Sequence, residues 1–236
     1  VPVRIAVLTV SDTRQLADDK SGQTLVDRIE KAGHSIADRR IVADERDQIA
    51  GQLRTWCADD AIDVIISTGG TGLTGRDVTV EAHRDVYEKE IDAFGTIFTI
   101  VSMQKIGTSA VQSRATAGVA LGTYLFALPG SPGACKDAWD EILERQLDYR
   151  HRPCNFVEIM PRLDEHLRRK GGDRYRRWDR LPGIPDPRWL AFSAQGGAAA
   201  PRVRRRQGMV RGLLPDLDPR SFAGDSARVS QPSLGS

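Results

Sequence analysis

Short apolar runs alternate with amphipathic segments along the first third of the chain. Residues 3–10, 34–42 and 62–67 each carry several Val, Ile or Leu residues over the length of a strand. Between them, residues 21–32 and 47–57 place their apolar side chains at the spacing of one helix face. This alternation predicts an α/β fold with a mostly parallel sheet that helices cover on both faces.

The elements after the third strand are predicted from weaker signals. They are a helix over residues 78–89, an apolar segment over residues 91–103, strands over residues 115–120 and 124–128, a helix over residues 133–147 and an extended exit over residues 152–156. Gly95 would break the apolar segment, and Gly122 would lie at the turn of a hairpin. Ser21 and Ser131 are the predicted caps of the first and last helices, with Pro132 at the first position of the last.

A glycine-rich turn follows the third predicted strand. It holds four glycines within seven residues and then an arginine and an aspartate: Gly69, Gly70, Thr71, Gly72, Gly75, Arg76 and Asp77. Glycine lets backbone N–H groups approach an anion without a Cβ in the way. The arginine offers a cationic fork, and the aspartate offers a carboxylate for a magnesium ion. The turn therefore predicts chemistry on a phosphate, in preference to a plain strand-to-helix connection.

Two familiar nucleotide motifs do not account for this turn. Residues 70–75 satisfy G-x-G-x-x-G, but they follow the third strand and lack the acidic residue that a dinucleotide site places further on. A Walker A loop is excluded because no Gly-Lys-Ser/Thr follows. Ligands of parallel sheets bind at the carboxyl ends of the strands, so Ser11, Asp12 and Asp44 are predicted to converge with the turn.

Charge and proline content divide the chain into two parts. The 236 residues carry a net charge of +2, yet residues 168–236 hold 15 basic and 6 acidic side chains, which is +9. The preceding residues hold 19 basic and 26 acidic side chains, which is −7. We predict one globular domain over residues 1–167 and a disordered basic tail over residues 168–236. The tail could touch nucleic acid, but a solvated tail without that partner is the favoured interpretation.

The cysteines and histidines show no pattern of a metal site. Cys57, Cys135 and Cys154 are odd in number and far apart, which favours a reducing cytoplasm over a disulfide framework. They form no C-x-x-C pair, and the four histidines lack the spacing of zinc ligands. No apolar run has the length of a membrane span or the form of a signal peptide, so a cytoplasmic protein is expected.

Several motifs taken together resemble the MoaB/Mog family of molybdenum-cofactor biosynthesis proteins. In chain order they are Thr9-Val10-Ser11-Asp12, Asp44-Glu45, Thr68-Gly69-Gly70-Thr71-Gly72, Arg76-Asp77-Val78-Thr79, Ser113-Arg114 and Leu128-Pro129-Gly130-Ser131-Pro132. Their order and spacing cover residues 3–163. Residues 152–156 are more similar to the MoaB branch than to the Mog branch.

The resemblance implies a three-layer α/β/α sandwich that assembles as a homo-oligomer, either a trimer or a hexamer. It implies that ATP and molybdopterin are the substrates and Mg²⁺ the cofactor. In active members AMP passes from MgATP to the terminal phosphate of molybdopterin, and pyrophosphate is released. Other molybdenum-cofactor enzymes are the implied protein partners.

The resemblance also implies the site residues. Asp44 and Asp77 would be catalytic and would hold the metal. The positions implied to bind the ligands are Ser11, Asp12, Gly69, Gly70, Thr71, Gly72, Arg76, Ser113, Arg114, Pro129, Gly130 and Ser131. Of these, Arg114 is predicted to pair with a phosphate.

Two kinds of alternative stay open at this point. Asp77 could cap the following helix, and Asp44 could be a solvated loop carboxylate. Some MoaB proteins bind molybdopterin without catalysing its adenylylation, and they carry altered residues in the phosphate loop or at the Asp44 position. This chain keeps Asp44, Arg76 and Asp77, which favours an active enzyme. Thr96 stands where the family often has Glu, so this chain lacks an acid at that position.

Overall fold

A computed structural model describes residues 1–163, and in them six strands form one sheet. The strands are β1 (Arg4–Val10), β2 (Ser35–Val42), β3 (Val64–Thr68), β4 (Lys89–Glu90), β5 (Thr116–Ala120) and β6 (Thr123–Leu128). Their order across the sheet is β2-β1-β3-β6-β5-β4. The first four of that order run parallel, whereas β5 and β4 are antiparallel additions at one edge. The predicted boundary at residue 167 and the tail over residues 168–236 lie outside the described residues.

Helices cover both faces of this sheet. They are α1 (Lys20–Lys31), α2 (Arg46–Cys57), α3 (Thr79–Arg84), α4 (Asp92–Ile106), α5 (Pro132–Ala138), α6 (Glu144–Gln146) and α7 (Phe156–Ile159). No helix in residues 1–163 has the length and apolarity needed to cross a membrane.

Strand β1 shows why the sandwich has three layers. Ile5 and Val7 belong to a core shared with α1, α4 and α5, whereas Ala6 and Leu8 belong to a core shared with α2 and α3. Successive strand residues point to opposite faces, so both sets are apolar only because both faces are covered. In β3 every residue is buried for the same reason. The predicted three-layer α/β/α fold with a mostly parallel sheet is thereby confirmed.

The predicted cap of the first helix is wrong by two residues. Asp19 is the N-cap of α1, and its carboxylate accepts the Gly22 backbone N–H at 2.8 Å. Ser21 lies inside the helix, where its hydroxyl donates to the same carboxylate at 3.1 Å. Asp19 wins this position because it also accepts the buried Thr9 hydroxyl at 2.7 Å, which fixes the start of α1 against β1.

The predicted helix over residues 78–89 is shorter in the structure. It ends at Arg84, because Tyr87 packs into the core and Lys89–Glu90 pairs with β5 as a short strand. The apolar segment over residues 91–103 is helix α4, and Gly95 lies inside it without breaking it. A Cβ at Gly95 would lie 2.8 Å from the Ala115 carbonyl oxygen, so this glycine lets α4 approach the sheet closely.

The last part of the domain follows the predicted order with two differences. Ser131 caps α5 by accepting the Ala134 N–H at 3.1 Å, as predicted, and Pro132 is the first helical residue. The helix then widens into a π-turn over Trp139–Leu143 before α6, so it is not continuous α-helix to residue 147. The predicted extended exit ends one residue earlier than expected, because α7 begins at Phe156. Its N-cap is Asn155, whose side chain accepts the Glu158 N–H at 2.9 Å.

Helix α4 exposes apolar side chains on the face opposite the core. Its side chains are buried at Phe94, Phe98 and Ser102. Four others, each 46% to 55% exposed, follow one another at three-residue spacing: Ile97, Ile100, Met103 and Ile106. Such a row of apolar side chains is typical of a surface that another protein chain covers.

We expect the protein to form a homo-oligomer in which this α4 face is buried. Ile100→Glu should shift the assembly to monomers, because it places a charge where an apolar side chain contributes about 1.5–3 kcal/mol on burial. Sedimentation velocity at micromolar concentration is the measurement. The control is Leu16→Glu, at a similarly exposed apolar residue outside α4. A stable monomer in the parent protein would contradict the expectation.

Candidate active site

The glycine-rich turn lies against the ends of two neighbouring strands. Gly69 has a φ of +102°, and a Cβ there would lie 2.3 Å from the carbonyl oxygen of Val10 at the end of β1. Its N–H donates to the Leu128 carbonyl oxygen at 3.1 Å. On the β6 side, a Cβ at Gly130 would lie 3.0 Å from the Gly69 Cα. The structure therefore brings residues 69–72 and residues 129–131 together at the carboxyl ends of β1, β3 and β6.

Gly70 brings the turn against two functional side chains. Its φ is +61°, and a Cβ there would lie 2.4 Å from the Thr79 hydroxyl and 2.7 and 2.8 Å from the Asp44 carboxylate oxygens. The Gly70 carbonyl accepts the Thr79 N–H at 2.8 Å. The Thr79 hydroxyl is buried and has no hydrogen-bond partner among residues 1–163. An orphaned buried hydroxyl beside a carboxylate is a group that a bound ligand or water can satisfy.

The carboxylate of Asp77 faces back into the turn. It accepts the Thr74 hydroxyl at 2.6 Å and the Thr74 N–H at 2.9 Å, and these bonds with the Gly72 N–H lower its pKa. The N-cap of α3 is Val78, and no side chain caps that helix. The alternative role of Asp77 as a helix cap is therefore wrong. An ionised carboxylate is held at the edge of the glycine turn instead.

Asp44 and Asp12 lie on the same side of the turn as Asp77. The Asp12 carboxylate accepts the Asp44 N–H at 3.0 Å, which joins the loops after β1 and β2. Burial raises the pKa of Asp44, and the negative charges of Asp77 and Asp12 raise it further. Asp44 is therefore not an ordinary solvated loop carboxylate. In residues 1–163 no group of three or more His, Cys, Asp or Glu side chains is arranged to hold a metal ion by itself.

The side chain of Arg76 ties three loops together. Its guanidinium donates to Asp12 at 2.6 Å and to Glu45 at 2.9 Å, so the cation of the turn is paired with carboxylates from the loops after β1 and β2. All three side chains are exposed, and because solvent screens exposed ion pairs of this kind, they contribute little to the stability of the fold. Such a weak network can open when a charged ligand binds.

Arg114 is occupied by the protein itself, which differs from its predicted pairing with a phosphate. Its Nε donates to the Thr71 carbonyl oxygen at 2.9 Å, and an Nη donates to the Asp77 carbonyl oxygen at 3.1 Å. The same guanidinium forms a bidentate pair with Glu81 of α3. Arg114 therefore fixes the positions of the Thr71 and Asp77 carbonyl groups of the turn.

The three predicted serines serve different parts of the site. The Ser11 hydroxyl oxygen accepts the backbone N–H groups of Thr13 and Arg14 at 3.3 and 3.2 Å, and so shapes the loop after β1. Ser131 is occupied as the cap of α5. Ser113 lines a cleft of about 640 Å³ beside α4, together with Thr96.

The sequence interpretation gave no role to four residues of this site. Glu45 and Glu81 hold the two arginines, Thr79 faces Gly70, and Arg14 reaches across to Gly130. Thr79 and Glu81 follow Asp77 by two and four residues, so the motif itself pointed to them. The contact of Arg14 spans 116 residues, and nothing in the local sequence signals it.

We expect Asp44→Asn and Asp77→Asn to change the stability of the ligand-free protein in opposite directions. At pH 7.5 Asp44→Asn should raise Tm, because a raised pKa means that folding disfavours the ionised carboxylate. Asp77→Asn should lower Tm, because its lowered pKa means that folding favours ionisation.

Thermal melts from pH 8 down to pH 4 test this sign difference. The Asp44 effect is present above the raised pKa and should disappear first on acidification. The Asp77 effect should persist to lower pH, since it is lost only as the pH falls through a lowered pKa. Shifts of Tm in the same direction for both variants at pH 7.5 would contradict these electrostatics.

Comparison with known proteins places these features in a family. A family profile described as "Probable molybdopterin binding domain" matches residues 6–149. Molybdenum cofactor biosynthesis protein B of Escherichia coli K12 is 48% identical over 156 residues, which cover 66% of this chain and 92% of that protein. The protein of the same name from Bacillus subtilis strain 168 is 44% identical over 146 residues, which cover 61% and 86%.

Solved structures indicate the same family. A crystal structure of molybdenum cofactor biosynthesis protein B is 35% identical with a TM-score of 0.64, and the match covers 70% of this chain and 98% of that one. The tungsten cofactor synthesizing protein MoaB from Pyrococcus furiosus is 32% identical with a TM-score of 0.55, covering 61% and 92%. The chain therefore belongs to the family of molybdopterin-binding domains that includes molybdenum cofactor biosynthesis protein B.

Proposed function

We propose that this protein acts in molybdenum cofactor biosynthesis as a molybdopterin adenylyltransferase. It would transfer AMP from MgATP to the terminal phosphate of molybdopterin and release pyrophosphate. The observation that carries the proposal is the placement of the Asp44 and Asp77 carboxylates close together beside a glycine turn at the strand ends. Membership of the family of molybdopterin-binding domains supports molybdopterin as a ligand, and the turn and the carboxylates support chemistry on a phosphate.

The donors at this edge of the sheet fit a magnesium ion that arrives with ATP. Mg²⁺ prefers oxygen ligands and commonly takes one or two carboxylates from the protein, with phosphates and water completing its shell. Asp44 and Asp77 would supply those carboxylates, and the cost of holding Asp44 ionised beside Asp77 and Asp12 would fall in the presence of a cation. When bound, Mg²⁺ neutralises charge on the triphosphate.

Backbone donors of the turn complete the phosphate site. The N–H groups of Gly70 and Thr71 have no hydrogen-bond partner among residues 1–163, whereas those of Gly69 and Thr74 are used within the protein. Fixed N–H groups stabilise negative charge that develops on a phosphoryl group without reorganising. Since Arg114 holds the Thr71 carbonyl, these donors are oriented before the ligand binds.

The reaction requires no nucleophile from the protein. The terminal phosphate of molybdopterin would attack the α-phosphorus of ATP in line, and pyrophosphate would leave. Burial raises the pKa of Cys57 to about 12 and of Cys135 to about 11, so neither thiol is available as a thiolate near neutral pH. The chain's own groups instead position the two phosphates for in-line attack.

The direct test mixes purified protein, molybdopterin, ATP and Mg²⁺ and measures pyrophosphate. We expect release that depends on molybdopterin, because the acceptor phosphate is already ionised at neutral pH and attacks without a base from the protein. Asp77→Asn should lower the rate by at least ~10²-fold while the protein stays folded, since it removes a charge that holds the metal.

Two results would count against the enzyme. Retention of molybdopterin without any pyrophosphate would indicate a non-catalytic binding protein. Near-normal AMP transfer by folded Asp77→Asn would remove that carboxylate from the mechanism. Thr96→Glu, measured beside the parent, reports whether an acid at this position of the cleft changes the rate.

A further inference from the structure

The arginines at the strand-end edge differ in whether a carboxylate already holds them. Arg76 is paired with Asp12 and Glu45, and Arg114 is paired with Glu81. Arg14 lies at the same edge and has no carboxylate partner among residues 1–163. A guanidinium without an anion, next to a phosphate loop, is the group best placed to accept one.

The position of Arg14 is fixed by the protein. One Nη donates to the Ser21 hydroxyl oxygen at 3.0 Å and to the Gly130 carbonyl oxygen at 3.3 Å. Ser21 in turn donates to the buried carboxylate of Asp19, so the Arg14 side chain is held at a point that the core determines. The contact with the Gly130 carbonyl brings the guanidinium to the loop after β6, and Gly130 of that loop packs against Gly69 of the glycine turn.

The rest of the Arg14 guanidinium is unused. A guanidinium carries five N–H donors, and neither the Nε nor the second Nη of Arg14 makes a hydrogen bond within residues 1–163. Those free donors match two oxygens of a phosphate group, as bidentate recognition requires. The side chain is exposed, so a ligand can reach these donors.

The two flanks of the glycine turn therefore carry opposite charge. Asp12, Asp44 and Asp77 follow β1, β2 and β3 and form an acidic flank, whereas Arg14 reaches to the loop after β6 on the other side. A phosphate monoester dianion without a metal would be repelled by the acidic flank and attracted by the guanidinium. A triphosphate with its Mg²⁺ suits the acidic flank instead.

We propose that Arg14 binds the terminal phosphate of the acceptor and thereby selects the phosphorylated pterin. This inference rests on the proposed function, since it deepens the assignment of the same site. Arg14 is a substrate-binding residue in this account, and the acidic flank serves the nucleotide. In the ligand-free protein neither Arg76 nor Arg114 is available for this role, because carboxylates already hold both guanidinium groups.

The experiment compares two ligands and several variants in a binding assay that needs no turnover. The ligands are molybdopterin and molybdopterin from which a phosphatase has removed the terminal phosphate. The variants are Arg14→Gln, Arg14→Lys and the control Arg150→Gln, which also removes one exposed charge but lies in a cavity apart from this edge. Affinities are measured by isothermal titration without ATP.

We expect the parent protein to prefer the phosphorylated ligand. Arg14→Gln should weaken molybdopterin about tenfold or more and the dephosphorylated ligand less than about twofold, as loss of a charge-assisted hydrogen bond predicts. Arg14→Lys should keep part of the preference because it keeps the charge. Arg150→Gln should bind like the parent protein.

The outcomes separate this inference from the proposed reaction. Equal weakening of both ligands by Arg14→Gln would overturn the inference, because it would show a structural role only. Equal affinity of the parent for the two ligands would also overturn it. If Arg14→Gln does not fold, a reduced preference for the phosphorylated ligand in folded Arg14→Lys supports the assignment, and a preference in Arg14→Lys equal to that of the parent contradicts it. If Arg14→Gln weakens only the phosphorylated ligand but the parent protein releases no pyrophosphate, the assignment of Arg14 stands and the proposed adenylyltransferase activity is refuted.

Discussion

The site depends on the close approach of a glycine turn to the ends of the strands. Gly69 lies against the Val10 carbonyl, and Gly70 lies against Asp44 and Thr79, at distances that leave no room for a Cβ. Both residues have positive φ, which costs a non-glycine residue roughly 1–2 kcal/mol. Close packing here brings residues from the loops after β1, β2, β3 and β6 to one edge, although they are up to 120 positions apart in sequence.

Electrostatics at this edge favour binding over stability. Folding raises the pKa of Asp44, because its carboxylate is partly buried and lies near two others. The positive charge of Arg76 offsets the repulsion between these carboxylates only in part, because Arg76 pairs with Asp12 and Glu45 and is exposed. Functional sites often hold charged groups at a cost to the stability of the fold, and a bound cation then offsets that cost by neutralising the negative charge. The arrangement is consistent with a ligand that brings its own metal.

The sequence predicted the parts of this protein that follow from local pattern. The apolar runs of β1 and β3, the hairpin at Gly122 and the glycine turn are each recorded in consecutive residues, and the structure contains them. The partners of Arg14, Arg76 and Arg114 were not predictable in this way, because they depend on which loops meet at the strand ends. The start of α1 was misplaced for a related reason: Thr9, on another element, favours Asp19 as the cap.

The most direct test of the role of the turn is a comparison of two alanine substitutions within it. Gly70→Ala would place a Cβ against Thr79 and Asp44, whereas Gly75→Ala would meet nothing within 4 Å. Binding of molybdopterin and of MgATP is measured by isothermal titration, with a thermal melt to confirm folding. The account predicts that folded Gly70→Ala loses at least about tenfold in affinity for MgATP, whereas Gly75→Ala binds like the parent. Equal affinities for the two variants would contradict it.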